Sequence, residues 1–490
     1  MKVLFVTPEY TSWIKTGGLG DVSAALPTAL RELGIDARVV IPGYREVLAA
    51  IGTRPVAASL APWSGFPGAR LLVARTPHGT PAWVLDCPQF YDRDAGPYGD
   101  SDGRDFADNA LRFGLLALAA ARIGDGLIAE WKPEVVHGND WQAALAPAYL
   151  RLVFASRVPC VQTVHNLAFQ GLFPPDTATT LGLPHEGYAA EGFEFYGRLS
   201  FLKAGLRWAD AITTVSPTYA REIQREPLGF GLQDLLASRR DTLYGITNGI
   251  DVEEWDPARD RRIASTYSAA TLESKAKNKR ALQRRLGLDP RGDVVLLGVV
   301  SRLTAQKGID LVLEAVPRLL ELPVQLAVLG TGERDFEQAL AALARAHPDR
   351  IAARIGFDET LAHLIEAGTD IFLMPSRFEP CGLNQMYSQR YGTPPVVRRT
   401  GGLADTVVDC TPDALARGDA TGFVFDAEDA GALVAAVERG LAAFGERDLW
   451  RRLQENGMRR DFSWAAAARR YAEVYDWVVR SRGARAGDAA

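Results

Sequence analysis

The residues of this sequence best suited to a negatively charged ligand sit in short loops that follow apolar, strand-like runs. Lys15-Thr16-Gly17-Gly18-Leu19-Gly20-Asp21 follows the first such run. A near copy, Thr400-Gly401-Gly402-Leu403-Ala404-Asp405, returns behind Arg399 at the other end of the chain. Glycines ahead of a helix let backbone N–H groups approach an anion, and the helix N-terminus adds positive potential. Lysine adds a compact charge for a phosphate or a leaving oxygen. Two copies in opposite halves suggest two walls around one phosphate-bearing ligand. Two ordinary Gly-rich turns with Asp caps are the plainer reading, and the phrase alone does not choose. Asp21 carries the same pair of readings, helix cap or acceptor for a sugar hydroxyl.

Four further loops add chemistry. Ser301-Arg302-Leu303-Thr304-Ala305-Gln306-Lys307-Gly308 places two cations beside a predicted helix start, which suits a diphosphate. In Ser376-Arg377-Phe378-Glu379-Pro380-Cys381-Gly382-Leu383-Asn384, Glu379 is held on a stiff turn, where a carboxylate can stabilise an oxocarbenium ion or hold sugar hydroxyls. Cys381 has no His–Asp partner nearby and reads as a small residue packing by a ligand. His165 and Asn166 end one strand-like run, and His137-Gly138-Asn139-Asp140-Trp141 ends another. A lone histidine is usually structural, but the strand-end position favours a catalytic reading for His165. Asp140 can accept from a sugar hydroxyl, and Trp141 reads as core. Asn248 and Asp251 have turn chemistry as their plain role.

The elements that must position these loops alternate short apolar strands with helices. Val3–Thr7, Ala37–Ile41, Val135–His137, Cys160–Val164 and Ala211–Val215 are predicted strands of the first half. Val294–Val300, Val324–Leu329, Ile371–Met374, Pro395–Val397 and Gly422–Phe425 are those of the second. Continuous apolar runs separated by helices indicate parallel sheets buried on both faces, and doubly wound α/β domains bind ligands at the carboxyl ends of such strands. At 490 residues the chain is expected to form about two to three domains. The charged stretch Asp256–Arg285 reads as an exposed linker passing into a helix, with the boundary near Asn248–Pro257. An aromatic stripe, Trp464, Tyr471, Tyr475 and Trp477, predicts a helix over Trp464–Val479, followed by a frayed tail.

Composition narrows the function. The net charge of −5 gives no field for nucleic acid or an anionic membrane surface. The four cysteines have no metal-type spacing and fit a reducing cytosol. The start lacks a signal-peptide pattern, and the most apolar predicted helix, Leu111–Ile123, is too short to span a bilayer. A cytoplasmic location is expected, with no membrane partner. A homo-oligomer is left open.

Taken in order, these phrases resemble the bacterial glycogen synthases and starch synthases. The resemblance runs from Lys15–Leu19 through Tyr91-Asp92-Arg93, Asp140-Trp141, Thr163–Asn166, Val215–Tyr219, Asn248–Asp251, Ser301–Gly308 and Ser376–Leu383 to Arg399–Asp405. It implies the glycosyltransferase-B fold, two Rossmann-like doubly wound domains facing a deep cleft. The expected division is 1–250 for acceptor and catalysis, 251–460 for the nucleotide sugar, a helix over 461–480 crossing back to the first domain, and a flexible tail over 481–490. It also implies transfer of glucose from ADP-glucose to the non-reducing end of an α-1,4-glucan such as glycogen, with retention, and without metal or other cofactor.

Carried over by position, the resemblance implies that Lys15, Arg302 and Lys307 hold the diphosphate, with Gly17 and Gly18 against it. Glu379, Cys381, Gly382 and Leu383 would line the donor sugar. His165 and Asn166 would sit by the anomeric centre, and Asp21 and Asp140 on the donor-sugar and acceptor side. Asn248, Thr400 and Gly401 would join the substrate site, with the second phrase at its distal phosphate end. Phe357 stands where an aromatic residue often stacks on adenine. Departures from the pattern are Gly20 for a common Ala, Asn139 and Gln142 where histidines are frequent, and Asn384 where Thr is common. Rival readings are a transferase acting on a small acceptor and a glucan-binding protein without activity. The intact Lys15, Arg302, Lys307 and Glu379 weigh against the second. A phosphorylase is a further rival, but no pyridoxal-lysine context is recognisable.

Overall fold

A computed structural model describes the backbone over residues 1–487 and the side chains through Arg482. The chain divides into two units: Met1–Gly249 together with the segment from Trp464 onward, and Ile250–Ser463.

The strands of the first unit are β1 (Lys2–Val6), β2 (Asp36–Pro42), β3 (Val56–Leu60), β4 (Ala69–Arg75), β5 (Pro81–Asp86), β6 (Val135–Asn139), β7 (Cys160–Val164), β8 (Leu172–Phe173), β9 (Glu194–Phe195), β10 (Arg198–Ser200), β11 (Ala211–Thr214) and β12 (Leu243–Gly245). One sheet has the order β12-β11-β7-β6-β1-β2-β5-β4-β3, and β8-β10-β9 form a small second sheet. Period-two alternation on β1 sends Leu4 and Val6 into one apolar cluster and Val3 and Phe5 into another. Helix Asn109–Gly124 fills the first cluster. Helices Gly18–Glu32 and Trp464–Gly487 cover the second, with Val22, Leu26, Tyr471 and Tyr475 packed on Val3 and Phe5. The sheet departs from the expected all-parallel form at one edge, where β4 pairs antiparallel with both β3 and β5. The links Ala61–Gly68 and Thr76–Thr80 are too short for a crossover helix, so hairpin-type pairing is the accessible solution.

The second unit contains β13 (Val295–Val300), β14 (Val324–Gly330), β15 (Ile351–Ile355), β16 (Ile371–Met374), β17 (Pro395–Arg398) and β18 (Phe423–Phe425). They form a fully parallel sheet in the order β15-β14-β13-β16-β17-β18. The order reverses between β13 and β16, which makes the crevice at their carboxyl ends the switch point. In the first unit the reversal falls between β1 and β6.

Two further sequence expectations change. Asp256–Arg285 is not an exposed linker: Asp260, Lys275, Asn278 and Lys279 are buried. Lys275 Nζ donates to the Glu366 and Ala367 carbonyls at the C-terminal end of helix Glu359–Gly368, and Lys279 Nζ pairs with Asp370 at 2.6 Å. Charge that looked solvated in sequence is instead matched to a helix terminus and a carboxylate. The last helix runs to Gly487, past Val479, while 488–490 lie outside the described residues. The second Gly-Gly phrase is itself helical, but only over Gly401–Thr406.

Candidate active site

In the first unit the site residues follow β1, β6 and β7. After β1 the chain turns through Glu9, whose buried carboxylate organises the Gly-rich loop. It accepts from Thr16 N and Thr16 Oγ1, each at 2.7 Å, from Gly17 N at 3.3 Å, and from the Tyr98 hydroxyl. Two N–H groups of the loop are therefore already engaged by protein. The helix that follows has Gly17 at its N-cap with no side-chain cap bond. Asp21 is thus not the cap. Its Oδ1 accepts from Lys15 Nζ at 2.6 Å and Thr11 Oγ1 at 2.9 Å, which holds the lysine in place at the loop.

Asp140 follows β6 directly and has φ +52°, a left-handed backbone that a non-glycine residue holds at a cost of about 1–3 kcal/mol. The turn brings its carboxylate to the end of β7, where Oδ1 accepts from His165 N at 2.7 Å. Burial pushes the Asp140 carboxyl up to about 7, against backbone donors from His165 and Asn166. Asn139 Nδ2 donates to the Val6 carbonyl, so its Oδ1 faces His165 Nε2 at 3.0 Å and accepts from it. Nδ1 of His165 is then the ring nitrogen with a lone pair. Burial holds the His165 ring down to about 3, so it is neutral near pH 7. Asn166 closes its own turn, with Oδ1 accepting from Ala168 N. Asn248 is buried near the end of the unit, and its Oδ1 has no hydrogen-bond partner.

In the second unit the residues gather at the switch point. Arg302 and Lys307 follow β13, and Ser376 and Glu379 follow β16. Lys307 Nζ meets Glu379 Oε2 at 2.6 Å, and Ser376 Oγ donates to the same oxygen at 3.0 Å. Arg302, Lys307, Ser376, Glu379, Gly382 and Leu383 line a cavity of about 180 Å³, smaller than the roughly 300–1,000 Å³ of a drug-sized pocket and closer to one sugar or phosphate group. Gly308 makes the loop possible. Its φ is +70°, and a Cβ there would stand 2.2 Å from the Pro375 carbonyl oxygen.

The second Gly-Gly phrase supports this cavity from behind. Gly402 N donates to the Glu379 and Pro380 carbonyls, and a Cβ at Gly402 would lie 2.0 Å from the Cys381 carbonyl oxygen. Thr400 and Gly401 are buried in this contact region, and so is Cys381. None of the three lines the cavity. Phe357 lies after β15, 90% exposed, with its ring face open to a ligand.

Sequence reasoning passed over Glu9, Tyr98, Ser376 and the orienting role of Asn139. Glu9 carried a usable signal, since it sits at the carboxyl end of β1. Tyr98 gave none, because it reaches Glu9 from a remote loop. Ser376 and Asn139 stood inside phrases already singled out.

Comparison with known proteins agrees with this fold. Residues 2–238 match the starch synthase catalytic domain family, and residues 283–459 match the glycosyl transferases group 1 family. The chain is 57% identical to a glycogen synthase of Aromatoleum aromaticum over 476 residues, covering 97% of this chain and 96% of that protein. It is 54% identical to a glycogen synthase of Nitrosospira multiformis, covering 97% of each. Its structure is similar to the catalytic domain of starch synthase IV from Arabidopsis thaliana bound to ADP and acarbose, with a TM-score of 0.85, 30% identity, and coverage of 98% of this chain and 99% of that one. The sucrose-phosphate synthase of Thermosynechococcus elongatus, at 18% identity and a TM-score of 0.58, shares the fold. Two doubly wound α/β units, each with its charged loops at the switch point, and full-length identity above half show that the chain belongs to the glycogen synthase and starch synthase family of glucosyltransferases, with the glycosyltransferase-B fold.

Proposed function

We propose that the chain transfers glucose from ADP-glucose to the non-reducing 4-hydroxyl of an α-1,4-glucan, with retention at the anomeric carbon and without a metal. The observation that carries this reading is the Lys307–Glu379 pair beside Arg302 in one sugar-sized cavity of the second unit. The ADP bound in the structure of the Arabidopsis relative supports an adenine nucleotide. Phe357, with an open ring face, supplies the stacking surface for the base.

In the proposed reaction, the C1–O bond to the β-phosphate breaks and its electron pair leaves on the phosphate oxygen. Arg302, Lys307 and Lys15 take up that charge, the role a divalent cation plays in other transferases. Glu379 stabilises the positive charge that develops on the sugar. The acceptor O4 attacks C1 from the same face, and its proton passes to the departing phosphate oxygen. His165, being neutral, offers its Nδ1 lone pair to a sugar hydroxyl, and Asp140 and Asn166 fix its surroundings. Gly17 and Gly18 shape the loop that carries Lys15. We place the enzyme in the cytoplasm, in keeping with cysteine spacings that fit a reducing compartment; no described helix is long and apolar enough to cross a membrane.

The test is a transfer assay with glucose-labelled ADP-glucose or UDP-glucose and glycogen. Label should enter the glucan from ADP-glucose and be released as maltose by an exo-acting α-1,4-glucanase. A faster reaction with UDP-glucose overturns the donor assignment. Label resistant to the glucanase overturns retention, and label found only on small acceptors favours the small-acceptor reading.

A further inference from the structure

Away from these loops, the second unit holds a ring nitrogen with no partner. His363, on helix Glu359–Gly368, is fully buried, and its Nε2 has no hydrogen-bond partner. Everything else about the ring is fixed. Its Nδ1 lies 2.8 Å from Asp260 Oδ2, and the Trp255 ring stacks on it at 3.8 Å between centroids with an interplanar angle of 12°. Asp260 is held in turn by the Tyr391 hydroxyl at 2.6 Å and by Arg262 N at 2.8 Å. An imidazole whose Nδ1–H donates to a carboxylate presents a bare lone pair at Nε2, and that orienting pair is the usual outer support of a metal-bound histidine.

Two carboxylates complete the arrangement. Glu254 and Glu359 each offer an oxygen, and the ligand atoms of His363, Glu254 and Glu359 all lie within 4.8 Å of one another. Around zinc at bonds of about 2.0–2.2 Å, tetrahedral ligand atoms stand about 3.4 Å apart. The two exposed glutamates are the ligands able to swing to that spacing, the histidine being buried and held by Asp260. Arg262 now bridges them, at 3.2 Å from Glu254 and 3.6 Å from Glu359. Its guanidinium is therefore a built-in competitor for the same two carboxylates.

We infer that His363, Glu254 and Glu359 form a site for a first-row divalent cation of the zinc type, with water completing the shell, which clips the segment Ile250–Arg262 to helix Glu359–Gly368. One imidazole with two carboxylates is a borderline donor set, better suited to zinc, cobalt or manganese than to magnesium or calcium. The role is structural. Trp255 stacks also on Tyr387 of helix Asn384–Arg390, whose first residue lines the sugar-sized cavity, so the clip stiffens a support of that cavity and supplies no chemistry to it.

The test uses the whole chain stripped with EDTA and titrated with Zn²⁺ by calorimetry, with thermal unfolding as a second readout. One equivalent should bind, and the unfolding temperature should rise with it. Glu254→Gln/Glu359→Gln changes two exposed side chains and should lose both the equivalent and the thermal gain. Asp260→Asn should weaken binding by roughly 10–100-fold. Arg262→Gln removes the competing cation and should bind Zn²⁺ more tightly than the parent. No binding by the parent overturns the inference. So does an equivalent that survives in the double variant, since the ion would then be held elsewhere, and so does an Arg262→Gln variant that binds no more tightly.

Discussion

Lys307→Ala separates the two jobs assigned to the Lys307–Glu379 pair. The substitution removes a cation 2.6 Å from Glu379 Oε2 and leaves that oxygen with Ser376 as a donor. Breaking a fully buried pair from one side costs about 3–5 kcal/mol. The Lys307 side chain is 18% exposed and that of Glu379 8%, so partial screening brings the expected cost to about 2–3 kcal/mol. A domain of about 150–250 residues shifts by roughly 2–4 °C per kcal/mol, so the second unit should melt about 4–12 °C lower. Lys307→Ala/Glu379→Gln, which removes both charges, should recover part of that loss. Turnover should respond differently. Losing one donor to a developing negative charge costs about 10²–10³ in kcat, and the double variant should regain none of it. Calorimetry of the three proteins, with initial rates on ADP-glucose and separate measurement of glycogen affinity, checks both parts. A single variant as stable as the parent, a double variant less stable than the single, or turnover and glycogen affinity falling together would refute the reasoning.

Four other outcomes follow from the geometry. Phe357→Ala, at an exposed ring, should leave stability within about 0.5 kcal/mol of the parent. Loss of a base-stacking surface should raise the donor KM by an amount equivalent to about 1–3 kcal/mol; an unchanged KM removes Phe357 from the site. Glu9→Ala frees Thr16 and Gly17 of the first loop and should cost about 1–3 kcal/mol while raising the donor KM, as read by urea unfolding and kinetics. Asp140 keeps in the folded state a proton that the unfolded chain releases near pH 4, because burial pushes its carboxyl up to about 7. Its stabilising contribution is complete below about pH 4 and declines as the pH rises toward 7. His137 and His165, held down to about 3 by burial, act oppositely: their contribution is present above about pH 6.5 and declines as the pH falls. Asp140→Asn should therefore gain stability relative to the parent between pH 4 and 7, and a pH-independent difference in urea midpoint counts against the shift. Gly402→Ala should move the Glu379 loop or fail to fold, because its Cβ would overlap the Cys381 carbonyl oxygen. A soluble variant with parental turnover would show that the loop tolerates the shift.

The candidate site was legible in sequence wherever its residues follow a strand end. Arg302, Lys307 and Glu379 are found from the rule that ligands collect at the carboxyl ends of parallel strands, because the strands β13 and β16 are continuous apolar runs. Contacts made across the fold were not legible. Nothing local in sequence says that Asp21 pairs with Lys15 and leaves the cap to Gly17, or that Glu9 meets Tyr98. The charged stretch Asp256–Arg285 misled for the same reason. Lys275 and Lys279 look solvated until the carbonyls of helix Glu359–Gly368 and the Asp370 carboxylate are brought beside them. The two Gly-Gly phrases are a mixed case. Their similarity is visible in sequence, but their donors go to a glutamate side chain in the first copy and to the main chain of a glutamate loop in the second.

The helix Trp464–Gly487 has a consequence for how the molecule is made. It completes the apolar cluster around Val3 and Phe5, with Tyr475 hydrogen-bonded to His137 at 2.8 Å and Arg482 paired with Asp210. The ribosome delivers it only after all of Ile250–Ser463. During synthesis, then, the contiguous second unit can close before the interrupted first one. Until the last helix arrives, that face of the first sheet has to wait with only helix Gly18–Glu32 over it, which makes its uncovered part the surface a chaperone would find on the nascent chain.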